Sequence, residues 1–116
     1  MLNRGQIVVV DFAIAGMPRK VRPVLVIQSD QYNQKMTNTI VAMITANLAR
    51  AGEPAHLLID LSTPEGKLSG LLHSWVVNCN ALTTVRQDEA LRVLGSLADS
   101  AMHQIDQCLK TALAIS

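Results

Sequence analysis

Arg22 opens the aliphatic run Pro23-Val24-Leu25-Val26-Ile27 and follows the basic loop Met17-Pro18-Arg19-Lys20-Val21. A guanidinium is a permanently charged, planar fork of donors whose geometry matches the oxygens of a phosphate. Proline fixes its own φ and drives the preceding residue into extended conformations. It also confines that point to a strand start or a sheet edge, where a missing N–H does no harm. Arg22-Pro23 therefore fixes a phosphate-gripping group at a sheet margin before any tertiary contact acts. The second candidate is Thr45, which ends the β-branched run from Thr39 and is followed by Ala46-Asn47. If the two runs are neighbouring antiparallel strands, the start of the first meets the end of the second. An arginine beside a hydroxyl suits stabilisation of charge developing on phosphate oxygens. Each residue also has an ordinary reading. A threonine at a strand end commonly caps a turn through its hydroxyl, and three basic residues in a loop are commonly a solvated surface.

The rest of the chain narrows the chemistry. There is no G-x-x-x-x-G-K-[ST], no G-x-G-x-x-G and no G-x-S-x-G, so nucleotide-loop and nucleophile-elbow enzymes are unsupported. His56, His73 and His103 are scattered, and none pairs with a carboxylate or cysteine at recognisable spacing. Cys79 and Cys108 stand 29 positions apart without a C-x-x-C pair, and no His/Cys cluster has metal-ligand spacing. No metal and no cofactor is expected. The cysteines read as inert buried thiols, which fits a reducing cytoplasm. The first residues lack the long apolar stretch of a signal peptide, and no apolar run approaches the ~20 residues of a membrane span. Net charge is only +1, yet residues 13–22 carry Arg19, Lys20 and Arg22 and no acid. The ordinary reading is a solvated loop; the sharper one is a local phosphate footprint rather than a bulk field.

The elements that must hold these groups are mostly short strands. Gln6–Phe12 is β-branched and reads as a strand buried on both faces. Arg22–Gln28, Thr39–Thr45, His56–Leu61 and Leu72–Cys79 follow, with Leu82–Val85 and Arg92–Leu97 as shorter candidates. Ser29-Asp30 reads as a helix cap before a short turn through Tyr32 and Asn33. Ala46–Ala55 reads as loop, and Ser62-Thr63-Pro64-Glu65-Gly66 as the stop of the fourth strand. From Asp99 or Ser100, both N-cap types, Met102, Ile105, Leu109, Ala112 and Leu113 recur at helical spacing, giving an amphipathic helix of about four turns. The expectation is a single domain over residues 1–116, mainly β with a C-terminal helix, forming a small barrel or a pair of curled sheets. Hydrophobic residues make up 49% of the chain, and the excess over a small core points to a buried subunit interface. Trp75 reads as core or interface, with stacking on a base as the second reading. His73 shares its face by strand alternation.

Several fragments, in order and at matching spacing, resemble one family. Arg4-Gly5-Gln6-Ile7-Val8-Val9-Val10-Asp11-Phe12, Arg22-Pro23-Val24-Leu25-Val26-Ile27, Ile44-Thr45, Val76-Val77-Asn78-Cys79-Asn80 and Leu94-Gly95-Ser96-Leu97 are similar to the MazF/PemK toxins, endoribonucleases of type II toxin–antitoxin pairs. The resemblance runs from about Arg4 to Ile115. It implies an SH3-like β-barrel of the MazF/PemK/CcdB type, working as a cytoplasmic homodimer. It implies metal-independent, sequence-specific cleavage of single-stranded RNA, in which the 2′-hydroxyl attacks the adjacent phosphate. The products are a 2′,3′-cyclic phosphate and a 5′-hydroxyl. The family's catalytic arginine falls on Arg22 and its catalytic threonine on Thr45.

Substrate contacts are expected from Arg19, Lys20, Asn47, Asn78 and Asn80. Many relatives carry an acid at the position of Asn80 and a basic residue at that of Asn78. An amide both donates and accepts, whereas a carboxylate only accepts, so the target sequence should differ from that of carboxylate-bearing relatives. The expected partner is an antitoxin whose acidic tail is drawn to Arg19 and Lys20. The alternative is a non-enzymatic barrel of the same fold, either a gyrase-poison-like toxin or a catalytically inactive RNA binder.

Overall fold

The computed structural model describes residues 1–12 and 20–116. Its strands are β1 (Gln6–Asp11), β2 (Val21–Val26), β3 (Asn38–Thr45), β4 (His56–Ile59), β5 (Trp75–Arg86) and β6 (Ala90–Ser96). Its helices are α1 (Asp30–Lys35), α2 (Pro64–Leu68) and α3 (Asp99–Leu113). The strands form one antiparallel sheet in the order β4-β5-β3-β2-β1-β6. This is the mainly-β architecture with a C-terminal helix that the patterning predicts.

Alternation along the strands divides the apolar side chains between two faces. On one face Ile7, Leu25, Ala42, Ile44, Val77 and Cys79 pack with Met102, Ile105 and Cys108 of α3. On the other, Val8, Val10, Val24, Val26 and Val41 pack with Leu2, Phe12 and Val85. β1 is thus buried on both sides, as its unbroken aliphatic run requires. The stripe of α3 lies over β4 and β5 through Ala101, Met102, Ile105 and Cys108, while Leu113 at its far end remains exposed.

Three expectations are corrected. The fifth strand begins at Trp75 rather than Leu72, and it absorbs Leu82–Val85 into one long strand. Leu72 lies outside it, 88% exposed. The segment after the fourth strand, expected to be only a stop, folds into α2, with the Thr63 hydroxyl accepting from Gly66 N–H and Pro64 in the first turn; that is the standard chemistry of a helix start. Finally, the N-cap of α3 is Ala98, with no side-chain cap bond, so Asp99 and Ser100 are already helical. Ser29 does cap α1, its hydroxyl accepting from Tyr32 N–H.

Candidate nucleic-acid site at the β2–β3 margin

β2 is an interior strand, and Pro23 sits inside it. The register explains how it is tolerated. β2 pairs with β1 from Val21 onward, but its pairing with β3 begins only at Val24–Met43. The Ile27 N–H donates to the Ile40 carbonyl at 3.0 Å, so amides at odd positions of β2 face β3. Position 23 is therefore a point where the ladder to β3 needs a donor, and proline has none. The ladder stops there. Continuing the register past the break leads to Pro23 opposite Ile44 and then Arg22 opposite Thr45. Arg22 is consequently held on its β1 side, across from Val10, and open on the side of Thr45.

The two residues share a face. Val24 and Val26 belong to the cluster remote from α3, and so does Val41 of β3; alternation carries Arg22 and Thr45 to that same side. Both are partly exposed. Thr45 Oγ1 accepts the Asn47 N–H at 3.1 Å, and Asn47 Oδ1 in turn accepts the Ala49 N–H at 3.0 Å, capping the turn Leu48–Arg50. The ordinary reading of Thr45 as a turn cap is therefore correct. It is also compatible with chemistry: a hydroxyl oxygen that accepts from the backbone still has its own proton to donate.

β5 supplies the amides. Met43 pairs with Asn78 and Ala42 with Leu82, so Cys79, Asn80 and Ala81 bulge out of the strand without a shift elsewhere. The Asn80 N–H donates to Asn78 Oδ1 at 2.9 Å, and the Cys79 N–H to the Ala55 carbonyl at 3.0 Å. Asn78 thus shapes the bulge, while the exposed side chain of Asn80 is presented to solvent. Beneath it Cys79 is fully buried. Desolvation, with Cys108 close by, pushes its thiol up to about 12, which marks it as inert. Burial also pushes the Cys108 thiol up, and that thiol lies 3.6 Å from the His56 carbonyl.

Of the seven residues singled out in the sequence, the continued register brings Arg22 toward Thr45 at the open margin, and Asn47 is bonded to Thr45. Asn78 and Asn80 lie on the strand that flanks β3. Lys20 is exposed just before β2. Arg19 lies outside the described residues. One further cation escaped the sequence reading: Arg50 ends the turn that follows Thr45, largely exposed and only 3.7 Å from Glu53. The signal was Asn47 as a helix-cap residue three positions before it. His56 also departs from expectation. It meets a carboxylate after all, its Nδ1 lying 3.4 Å from Glu53 Oε2, although its ring is buried away from the margin. Among the described residues no group of three or more His, Cys, Asp or Glu could hold a metal ion. No helix of the described chain is long and apolar enough to cross a membrane.

Comparison with known proteins identifies the family. Residues 3–113 match the family model of the PemK-like, MazF-like toxin of type II toxin–antitoxin systems. Endoribonuclease MazF6 of Mycobacterium tuberculosis is 36% identical over 97 residues, covering 83% of this chain and 81% of that protein. Endoribonuclease EndoA of Bacillus subtilis is 30% identical over 99% of this chain and 97% of its own length. Among solved structures, a mycobacterial endoribonuclease in complex with its cognate antitoxin superposes with a TM-score of 0.79 at 22% identity, covering 100% of this chain and 98% of that one. The MazE–MazF complex of Deinococcus radiodurans gives 0.73 at 19% identity, covering 99% and 97%; both establish the shared fold. On the family match and these identities, the chain belongs to the PemK-like, MazF-like toxins of type II toxin–antitoxin systems.

Proposed function

We propose that the protein is a sequence-specific, metal-independent endoribonuclease that cleaves single-stranded RNA at the β2–β3 margin. The observation that carries this reading is the register, which leads Arg22 opposite Thr45 where the ladder stops. In the reaction the ribose 2′-oxygen forms a bond to the adjacent phosphorus as its proton leaves, and the bond from phosphorus to the 5′-oxygen breaks as that oxygen gains a proton. The products are a 2′,3′-cyclic phosphate and a 5′-hydroxyl. Arg22 supplies paired N–H donors to the phosphoryl oxygens as negative charge accumulates in the pentavalent transition state. A guanidinium holds its proton too firmly to act as a simple base, so its role is charge stabilisation. The Thr45 hydroxyl donates to a phosphate oxygen or relays a proton, fixed by the Asn47 N–H behind it. Lys20, Arg19 and Asn47 hold the strand, while Asn78 and Asn80 meet the bases.

The relatives named as endoribonucleases support the activity, and the neighbours solved with antitoxins support an antitoxin as partner. An acidic tail laid over the basic margin would block the substrate. Exposed aliphatic side chains such as Leu113 and Ile115 are available to a subunit contact, and we propose a homodimer acting in the cytoplasm. The test is cleavage of a long single-stranded RNA in EDTA, with mass analysis of the fragment ends. Cyclic phosphate and 5′-hydroxyl ends are expected. RNA that is bound but left intact would favour an inactive binding barrel, and cleavage only with added metal would exclude the mechanism.

A further inference from the structure

We infer that a cavity on the opposite face of the same sheet end is a nucleobase subsite, reading a base next to the scissile phosphate. The inference rests on the ribonuclease reading above. The cavity measures about 450 Å³ and is lined by Pro23, Leu72, His73, Trp75, Arg92 and Leu94, among others, within the ~300–1,000 Å³ range of small-ligand pockets. Its position follows from strand alternation. Pro23 is the residue after Arg22, and Trp75 precedes Val76, which pairs with Thr45. Both belong to the α3 side of the sheet, as Trp75 shows by packing on that cluster. A strand whose phosphate lies between Arg22 and Thr45 need only pass over the end of the sheet to deliver its neighbouring base to Trp75 and Pro23.

The chemistry of the lining suits a nucleotide. An indole and a proline ring provide flat apolar surfaces, and aromatic side chains are the usual platforms on which unpaired bases stack. The polar groups are Arg92 and His73, with no carboxylate among the lining residues. Arg92 has no ion-pair partner among the described residues and is exposed, so its charge is available to a phosphate. The cavity is also preformed. Gly70, at φ +74°, is pressed so closely on the Leu94 carbonyl that a Cβ there would overlap it, and this locks the segment before β5 onto β6. A binding wall built on a fixed segment loses little entropy when a ligand arrives.

Trp75 is the single tryptophan of the chain, so its fluorescence reports on this cavity alone. The probe is a short single-stranded oligoribonucleotide containing a mapped cut site, made uncleavable by a 2′-O-methyl group at the scissile ribose. Saturable change in Trp75 emission is expected. Arg92→Gln should weaken binding about three- to tenfold, as loss of one phosphate contact does. Trp75→Leu should weaken it about tenfold or more and relax the base preference at one position flanking the cut, with Trp75→Phe restoring much of both. Circular dichroism on each variant separates these effects from unfolding. An unchanged cleavage pattern in folded, active Trp75→Leu and Arg92→Gln would overturn the subsite and leave the ribonuclease standing. A response of Trp75 to an acidic antitoxin peptide but not to RNA, or a change from dimer to monomer in Leu72→Asp, would also overturn it, by giving the cavity to a protein partner. If the wild type neither binds nor cuts RNA, the ribonuclease reading fails and the subsite with it.

Discussion

The β2–β3 ladder has one closed end and one open end, and similar residue types meet opposite fates at the two. At the closed end Asn33 is 2% exposed and Thr39 fully buried. The Thr39 hydroxyl donates to Asn33 Oδ1 at 2.7 Å, Gln28 Nε2 donates to the same oxygen at 3.0 Å, and Asn33 Nδ2 donates to the Gln28 carbonyl at 3.1 Å. Gln87 Nε2 closes the ring on the Asn33 carbonyl at 2.7 Å. Every one of these bonds is spent on fixing α1 against the sheet. At the open end Arg22, Thr45, Asn47 and Asn80 are partly or largely exposed and keep donors or acceptors for something outside the chain. Polar residues in a strand are therefore not functional by type. They stay available to a ligand where the ladder ends and solvent, rather than a neighbouring element, is their partner.

The contrast can be broken at four points. The largest effect is expected from Arg22→Ala, which removes the charged donor pair and should lower the cleavage rate about 10³-fold while leaving the thermal midpoint nearly unchanged. Retained activity would move the chemistry elsewhere. Asn33→Ala should do the reverse. It strands the buried Thr39 hydroxyl, while the Gln28 amide keeps its bond to the Asn38 carbonyl, and should cost about 1–3 kcal/mol in urea unfolding, with the folded fraction cutting RNA at the usual rate. Thr45→Val, which loses one neutral hydrogen bond, should slow single-turnover cleavage about five- to tenfold, and Thr45→Ser should recover most of it; equal rates in all three would leave Thr45 as a turn cap only. The smallest effect is a pH slope. The Cys79 thiol has its folded value raised from 9.0 to about 12, so the folded state holds this proton more tightly than the unfolded chain. Its contribution is complete below about pH 9 and is lost as pH rises toward the folded value. Between about pH 8 and about pH 10 the wild type should lose about 1 kcal/mol more than Cys79→Ala in parallel denaturation curves.

Much of the open end was legible in the chain because its signals are local. Arg22-Pro23 announces a ladder that cannot extend, Thr45 ends a β-branched run, and Asn47 starts a turn. α3 and β1 were equally clear from periodicity. What stayed hidden depends on partners distant in sequence. Asn33 looks like a turn residue until Gln28, Thr39 and Gln87 surround it. The Leu72–Cys79 and Leu82–Val85 runs looked like two strands because Asn80 and Ala81 interrupt the alternation, and only the pairing with β3 shows that a bulge joins them. α2 is hard to read from the chain although Thr63-Pro64-Glu65 carries a start signal, because five residues leave no room for helical periodicity. The cavity beside Trp75 draws on β2, β5, β6 and the segment before β5, and no spacing rule links those positions.

The bulge in β5 gives the scaffold a replaceable part. Register is regained at Ala42–Leu82 just beyond Asn80 and Ala81, and only Cys79 among the three is anchored in the core. A lineage could therefore rewrite those two positions, or a library could randomise them, without disturbing the ladder on either side. On the proposed contact of Asn80 with bases, cutting preference would then change by exchanging a small cassette while the rest of the fold is inherited intact.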